Sequence, residues 1–207
     1  MEITFLGTSS MVPTKKRSHN AMFISTREDG ILVDCGEGTQ RQLKIAGISP
    51  TKVTKIMLTH WHGDHVLGLP GLLQTMGASE YTGKLEIYGP HGSRTHFEHM
   101  KKAFLFEERM EIEVHELSGS IFYETKEFQF EAKAMEHSVP CIGFSIIEKE
   151  RRRLRKEILE EKGITSGPHL GKLQDGHDIE WKGKNVKADD LSYLVPQKKI
   201  TNSGIEC

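Results

Sequence analysis

The chain has 207 residues, enough for one domain and barely for two small ones. Its 28 Lys and Arg against 29 Asp and Glu leave a net charge of −1, which excludes a polycation and confines any nucleic-acid contact to local patches. A hydrophobic fraction of 36% supports a globular core, no apolar run reaches membrane-spanning length, Met1 to Gly7 lack the order of a secretory leader, and three scattered cysteines without a C-x-x-C point to the reducing cytoplasm.

Residues 2–6 alternate and predict a strand, broken by Gly7-Thr8-Ser9-Ser10. A basic loop follows, in which Lys15, Lys16 and Arg17 are either a solvated surface or a phosphate contact. Residues 21–25 and 31–34 predict two further strands about a turn at Asp29-Gly30, so the first three strands suggest an antiparallel meander. Asp34-Cys35-Gly36-Glu37-Gly38-Thr39 ends the third strand and opens a helix over 40–46. Asp34 reads as a turn or cap residue, or as a carboxylate that orients a metal-bound histidine.

Residues 55–59 are short, apolar and partly β-branched and predict a buried strand, and residues 66–76 predict a helix. Between them lies the pattern H-x-H-x-D-H: His60, His62, Asp64 and His65. Imidazole nitrogen and carboxylate oxygen are the donors that Zn²⁺ and related metals take. On a strand-to-helix loop at a sheet end, His60 and His62 are expected to share one metal, while Asp64 and His65 turn toward a second. Gly63 relieves the backbone between them. No H-E-x-x-H occurs, which excludes a zincin helix.

A strand over 84–88, a turn at Gly89-Pro90-His91-Gly92, a helix over 93–104 and strands over 111–116, 121–124 and 128–135 follow. His91, His96, His99 and His115 have no ligand spacing and read as surface or core histidines. His137 is a lone histidine by spacing, yet it lies in a strand-end loop before a strand over 142–147, and a site begun by His60 and His62 needs a third nitrogen. His137 is the candidate.

Past Glu148 the texture changes. The run Lys149-Glu150-Arg151-Arg152-Arg153-Leu154-Arg155-Lys156 is basic and is expected to continue as a mixed-charge helix to Lys162. A turn-rich stretch through Gly167 and Pro168 follows, with few large apolar residues, so the segment over about 148–191 is expected to bury little surface and to project as an arm. It is either a solvated helix and loop or an arm that grips an RNA backbone, with Arg151, Arg152 and Arg153 as contacts. Residues 198–201 resume a strand.

On Phe5-Leu6-Gly7-Thr8, Pro13-Thr14 with Arg17, Asp34-Cys35-Gly36-Glu37-Gly38-Thr39-Gln40, the loop from His60 to His65, His137-Ser138-Val139-Pro140 with Gly143-Phe144, and Gly167-Pro168, the chain resembles the metallo-β-lactamase superfamily and, within it, the ribonuclease Z family of tRNA 3′-processing endonucleases. The resemblance covers essentially the whole chain. It implies an α/β fold, the four-layer αββα sandwich, as a single domain over 1–207 that is incomplete in its C-terminal part. It implies two Zn²⁺ per subunit, one on His60, His62 and His137 and one on Asp64 and His65, with Asp64 as proton acceptor. The arm, with Gly167 and Pro168, would hold precursor tRNA across a homodimer. The implied reaction removes 3′ trailers, leaving a tRNA 3′-hydroxyl and a 5′-phosphorylated trailer.

One departure stands against this. Where the family has Ser-Gly-Asp-Thr, whose aspartate bridges both metals, this chain has Ser203-Gly204-Ile205, followed by Glu206 and Cys207 one and two residues off register, and the family's later histidine is absent. Three readings follow: a zinc-dependent endoribonuclease of this family, a catalytically incomplete tRNA-binding remnant, or a hydrolase of small esters or thioesters on the same fold.

Overall fold

The computed structural model describes residues 1–105 and 109–202; Ser203, Gly204, Ile205, Glu206 and Cys207, on which the bridging position turns, lie outside the described residues. The chain divides into two compact units, one formed by residues 1–122, 131–145 and 201 onward, the other by 123–130 and 146–200.

The first unit is built on a six-stranded sheet. Its strands are β1 (Glu2–Gly7), β2 (Ala21–Ser25), β3 (Gly30–Val33), β4 (Lys55–Met57), β5 (Lys84–Gly89) and β6 (Glu111–Glu116), hydrogen-bonded in that order. The first three pair antiparallel, which is the expected meander, and β3 to β6 pair parallel. Every residue of β3 and β4 is buried, as a central strand covered on both faces requires. Helices α1 (Thr39–Ile45), α2 (Gly63–Val66), α3 (Leu69–Ala78) and α4 (Ser93–Ala103) make the crossovers. Leu32, Ile56, Leu58, Leu85 and Ile87 pack with Leu43, Leu69, Leu72, Leu73, Met76 and Phe97 in one apolar core. Each such side chain contributes about 1.5–3 kcal/mol on burial.

One helix departs from expectation. The helix expected over 66–76 is two, α2 and α3, separated by Leu67 and Gly68. Pro70 lies in the first turn of α3, where a missing N–H costs nothing, whereas inside a continuous helix it would break the ladder. As a result Gly63, Asp64 and His65 lie in α2 rather than in a loop.

A four-stranded sheet has the order β14-β9-β8-β7, from β7 (Ser120–Glu124), β8 (Phe128–Met135), β9 (Cys141–Glu148) and β14 (Lys198–Asn202). Among the described residues, no helix is long and apolar enough to cross a membrane.

The second unit corrects two expectations. The basic run is not the start of a helix: Arg151–Leu154 is strand β10, paired antiparallel with β13 (Ser192–Val195), and helix begins only at α5 (Lys156–Glu161). The partner strand lies far downstream, so local pattern could not reveal it. Nor does the segment bury little. With α6 (Pro168–Gln174), the hairpin of β11 (Ile179–Trp181) and β12 (Lys184–Val186), and α7 (Ala188–Leu191), it closes its own core of Leu159, Ile164, Leu173, Ile179, Ala188 and Leu191. Leu173 and Leu191 have no exposure at all. A few apolar residues suffice because short elements fold around them on every side.

Candidate metal centre

The chain places its histidines at the C-terminal ends of the parallel strands, where α/β sheets present their loops. The backbone of β4 runs on through Leu58, whose N–H donates to the Tyr88 carbonyl at 2.7 Å, and delivers Thr59 and His60 beyond the sheet. His62 is the extended residue before α2. His137 comes from the turn between β8 and β9, and the Ile142 N–H at the start of β9 donates to the Thr59 carbonyl at 2.9 Å, tying that turn to the histidine loop.

His60, His62 and His137 converge: one nitrogen from each lies within 4.8 Å of the other two. The His60 ring lies 4.8 Å from both the His62 and the His137 ring, and those two lie 5.1 Å apart, each pair edge-on at 75–83°. Three imidazoles set edge-on about one point present nitrogens, not ring faces, to it. Burial, and then the neighbouring His65, His62 and His137, push the pKa of His60 down to about 4, so its ring is neutral at pH 7 with a lone pair to give. His137 Nε2 and His62 Nδ1 lie 3.3 Å apart, and three imidazole nitrogens converging in this way are a donor set that a borderline divalent cation such as zinc takes.

His65 sits 4.1 Å, ring to ring, from His60. Its Nδ1 donates to Asp34 Oδ2 at 2.8 Å, and its Nε2 lies 3.5 Å from Asp64 Oδ2. Asp34 is fully buried and holds a left-handed backbone, φ 56°, unusual outside glycine although Asp tolerates it better than most. Its carboxylate also accepts the Thr59 N–H at 2.8 Å and the Thr59 hydroxyl at 3.0 Å. With its one proton given to Asp34, the Thr59 hydroxyl can only accept from His60 Nδ1, 3.0 Å away. Asp34 therefore sets the tautomer of His65 directly and that of His60 through Thr59, which makes Nε2 of each the nitrogen able to ligate a metal. The structure thus places Asp34, read from the sequence as a turn or cap residue or as an orienting carboxylate, in hydrogen bonds with Thr59 and His65. Thr59 was missed; its only signal was its place just before the first histidine.

Burial pushes the Cys35 thiol up to about 12, only partly offset by a hydrogen bond with Thr39, so it stays protonated and is neither thiolate ligand nor nucleophile at neutral pH. Lys15, Lys16 and Arg17 are exposed, with the Lys16 and Arg17 N–H groups donating to Thr14 Oγ1.

In the second unit Arg151 pairs with Glu148 at 2.8 Å and Arg152 with Asp189 at 2.6 Å, while Arg153 is exposed. Gly167 is extended and Pro168 opens α6.

A strand-end histidine loop of this form on a mixed α/β sheet defines a protein of the metallo-β-lactamase fold. Among solved structures, human tRNase Z, short form (ELAC1), aligns with a TM-score of 0.66 at 33% identity, covering 72% of this chain and 64% of that one. Residues 1–151 match the family model described as "Anti-Pycsar protein Apyc1". The chain is 43% identical over 191 residues to the Ribonuclease Z of Methanothermobacter thermautotrophicus, covering 92% of this chain, and 40% identical over 208 residues to that of Pyrococcus horikoshii, covering 99%. It spans 62% and 67% of the lengths of those two relatives. The chain belongs to the ribonuclease Z family, and its first 151 residues to the family of that model.

Proposed function

We propose that this chain carries the metal-binding loops and the substrate arm of a zinc-dependent endoribonuclease that removes 3′ trailers from precursor tRNA, leaving a tRNA 3′-hydroxyl and a 5′-phosphorylated trailer. The observation that carries the reading is the convergence of His60, His62 and His137 on one point beside a His65 whose tautomer Asp34 fixes. Identity to the ribonuclease Z relatives over 191 and 208 residues, well past residue 151, supports the RNA substrate, because it includes the second unit, which a small ester or thioester would not need.

His60, His62 and His137 would hold one zinc, and His65 with Asp64 would contribute to a second. Zinc there supplies a Lewis acid for phosphate oxygens and acidifies water for attack near neutral pH. The protein's own part is orientation. Asp34 and Thr59 hold the nitrogens in their ligating tautomers, and Asp64 stands at the edge of the cluster as the proton acceptor. The arm over 148–191, through Arg153 and the Gly167-Pro168 turn, binds the RNA backbone, in a cytoplasmic homodimer. Cys35 and Cys141 are buried free cysteines, in keeping with a reducing compartment.

One observation favours a second reading, tRNA binding without cleavage: Ile205 stands where the family pattern has a bridging aspartate. Incubating the chain with zinc and a 3′-extended precursor tRNA, beside a His60→Ala control, separates the two. Cleavage after the discriminator nucleotide, lost in the control, is expected. Cleavage that persists in His60→Ala would sink the metal assignment. Salt-sensitive binding with no cleavage would establish the second reading, and thioester hydrolysis in place of either would overturn both.

A further inference from the structure

We propose a divalent-cation site, separate from the histidine loop and suited to zinc, formed by Glu86 on β5 with Glu113 and His115 on β6. Parallel pairing sets Glu86 opposite Glu113 and Tyr88 opposite His115. Because alternate residues of a strand share a face, the four side chains stand on one side of the sheet. One donor atom from each of Glu86, Glu113 and His115 lies within 4.8 Å of the other two. The sequence spacing had given His115 no ligand partner; the register between strands supplies two.

His115 is the telling residue. Its ring stacks on Tyr88, 4.8 Å between centroids at 18°, which fixes the ring plane, and Nε2 is turned toward the two carboxylates. That nitrogen has essentially no accessible surface and no hydrogen-bond partner. It lies 3.6 Å from Glu86 Oε1 and 3.7 Å from Glu113 Oε2, close to both carboxylates and bonded to neither. Either it holds a proton in no hydrogen bond or it aims a lone pair at two anions, and buried polar groups are rarely left so. A cation bound by the three removes both problems, and one imidazole nitrogen with two carboxylate oxygens is a donor set zinc takes.

The neighbouring lysines divide the same way. Lys55 is buried, 2.6 Å from Asp29 and 3.3 Å from the other oxygen of Glu86, Oε2, so it orients Glu86 and leaves Oε1 to the site. Lys84 pairs with Glu113 and lies 4.0 Å from Glu86 Oε1, and its side chain is 45% exposed. Such an exposed pair is weak, and the cation takes its place as Lys84 swings into solvent. Since β6 ends the six-stranded sheet, the bound ion would clamp the edge strand to its neighbour.

Zinc titration of the 207-residue chain tests this. A His60→Ala, His62→Ala variant is expected to keep one zinc equivalent, and adding Glu113→Gln to weaken that binding by at least about 10-fold, the scale of even outer-shell changes at metal sites. In the chain with its histidine loop intact, zinc is expected to slow hydrogen exchange of the β6 amides, and Glu113→Gln to abolish that slowing, a readout independent of whether the double variant folds. Unchanged zinc affinity and unchanged β6 protection in both Glu113→Gln and His115→Gln would overturn the proposal and leave the group an ion-pair network only.

Discussion

Removing the carboxylate of Asp34 takes the shared acceptor from three donors, the Thr59 N–H, the Thr59 hydroxyl and His65 Nδ1, of which the hydroxyl alone has His60 Nδ1 within reach instead. All three belong to buried residues, and each unsatisfied group costs about 1–3 kcal/mol. Asp34→Ala is therefore expected to lower stability by about 3 kcal/mol or more, read as a fall in the urea midpoint. It is also expected to weaken zinc binding by about 10–100-fold, because both His60 and His65 lose their fixed tautomers. Full zinc affinity in Asp34→Ala would contradict the orienting role. His60 gives a pH prediction. Its folded pKa, about 4, lies below the ordinary 6.5, so between those values the unfolded chain binds the extra proton. In the metal-free protein the contribution of His60 is fully present above pH 6.5 and is lost as pH falls toward 4. The urea midpoint of wild type should drop between pH 7 and 5 by more than that of His60→Gln, and equal drops would remove the buried neutral imidazole from the account. Asp34 could be singled out in the sequence because it ends a strand in a glycine-rich loop, as the histidine motif does, although a turn or cap residue would look the same. Thr59 could not, since its role is a single proton shared between two side chains, and nothing in spacing encodes that.

At the scale of elements, the histidine loop depends on backbones that touch. A Cβ on Gly68 would sit 2.0 Å from the Gly36 carbonyl oxygen, and one on Gly36 would sit 2.4 Å from the Asp64 carbonyl oxygen. Contacts that short leave no room for a methyl group, and both neighbours are backbone. The two glycines let the loop after β3 lie directly against α2 and the start of α3, a closeness also seen in the Cys35 N–H donating to the His65 carbonyl at 2.8 Å and the Gly68 N–H to the Cys35 carbonyl at 2.9 Å. Gly68→Ala is expected to lower the urea midpoint and to weaken zinc binding, while Gly171→Ala, inside α6 with no atom outside its own helix within 4 Å of the added carbon, should leave zinc binding unchanged and the midpoint no lower. Similar behaviour of the two variants would show that the close approach carries no weight. The strands and crossovers of the first unit were legible because hydrophobic period and glycine punctuation agree there. The break between α2 and α3 was also written in the sequence, at Pro70, but the apolar run around it masked the signal. The pairing of β10 with β13 was not written locally at all. Arg151 to Leu154 reads as polar surface until a strand 40 residues on supplies its partner, as the Arg152 to Ser192 hydrogen bond illustrates.

For the whole molecule, the second unit's independent core gives a clean way to test the division of labour. Leu159, Ile164, Leu173, Ile179, Ala188 and Leu191 all lie between β10 and β13, so excising that stretch removes the core together with the surface it supports. Arg151 and Val195 are register partners, and paired Cα atoms in an antiparallel ladder lie about 5 Å apart. A short glycine linker from Glu150 to Pro196 can therefore close the gap without stretching what remains. The excised chain keeps His60, His62, Asp64, His65, His137, Asp34 and Thr59, and is expected to bind zinc as wild type does. Its affinity for precursor tRNA should fall by at least about 10-fold at moderate salt, and the dependence of that affinity on salt should flatten, because each lost phosphate contact removes about one counterion from the release term. Arg153→Ala should reproduce part of the flattening, while Arg151→Ala and Arg152→Ala should act mainly through stability, since those guanidinium groups are held by Glu148 and Asp189. Equal tRNA affinity with and without the stretch would take RNA binding away from the second unit and assign it to the basic loop at Lys15, Lys16 and Arg17. Loss of zinc binding on excision would show instead that the histidine centre needs the second unit to stand.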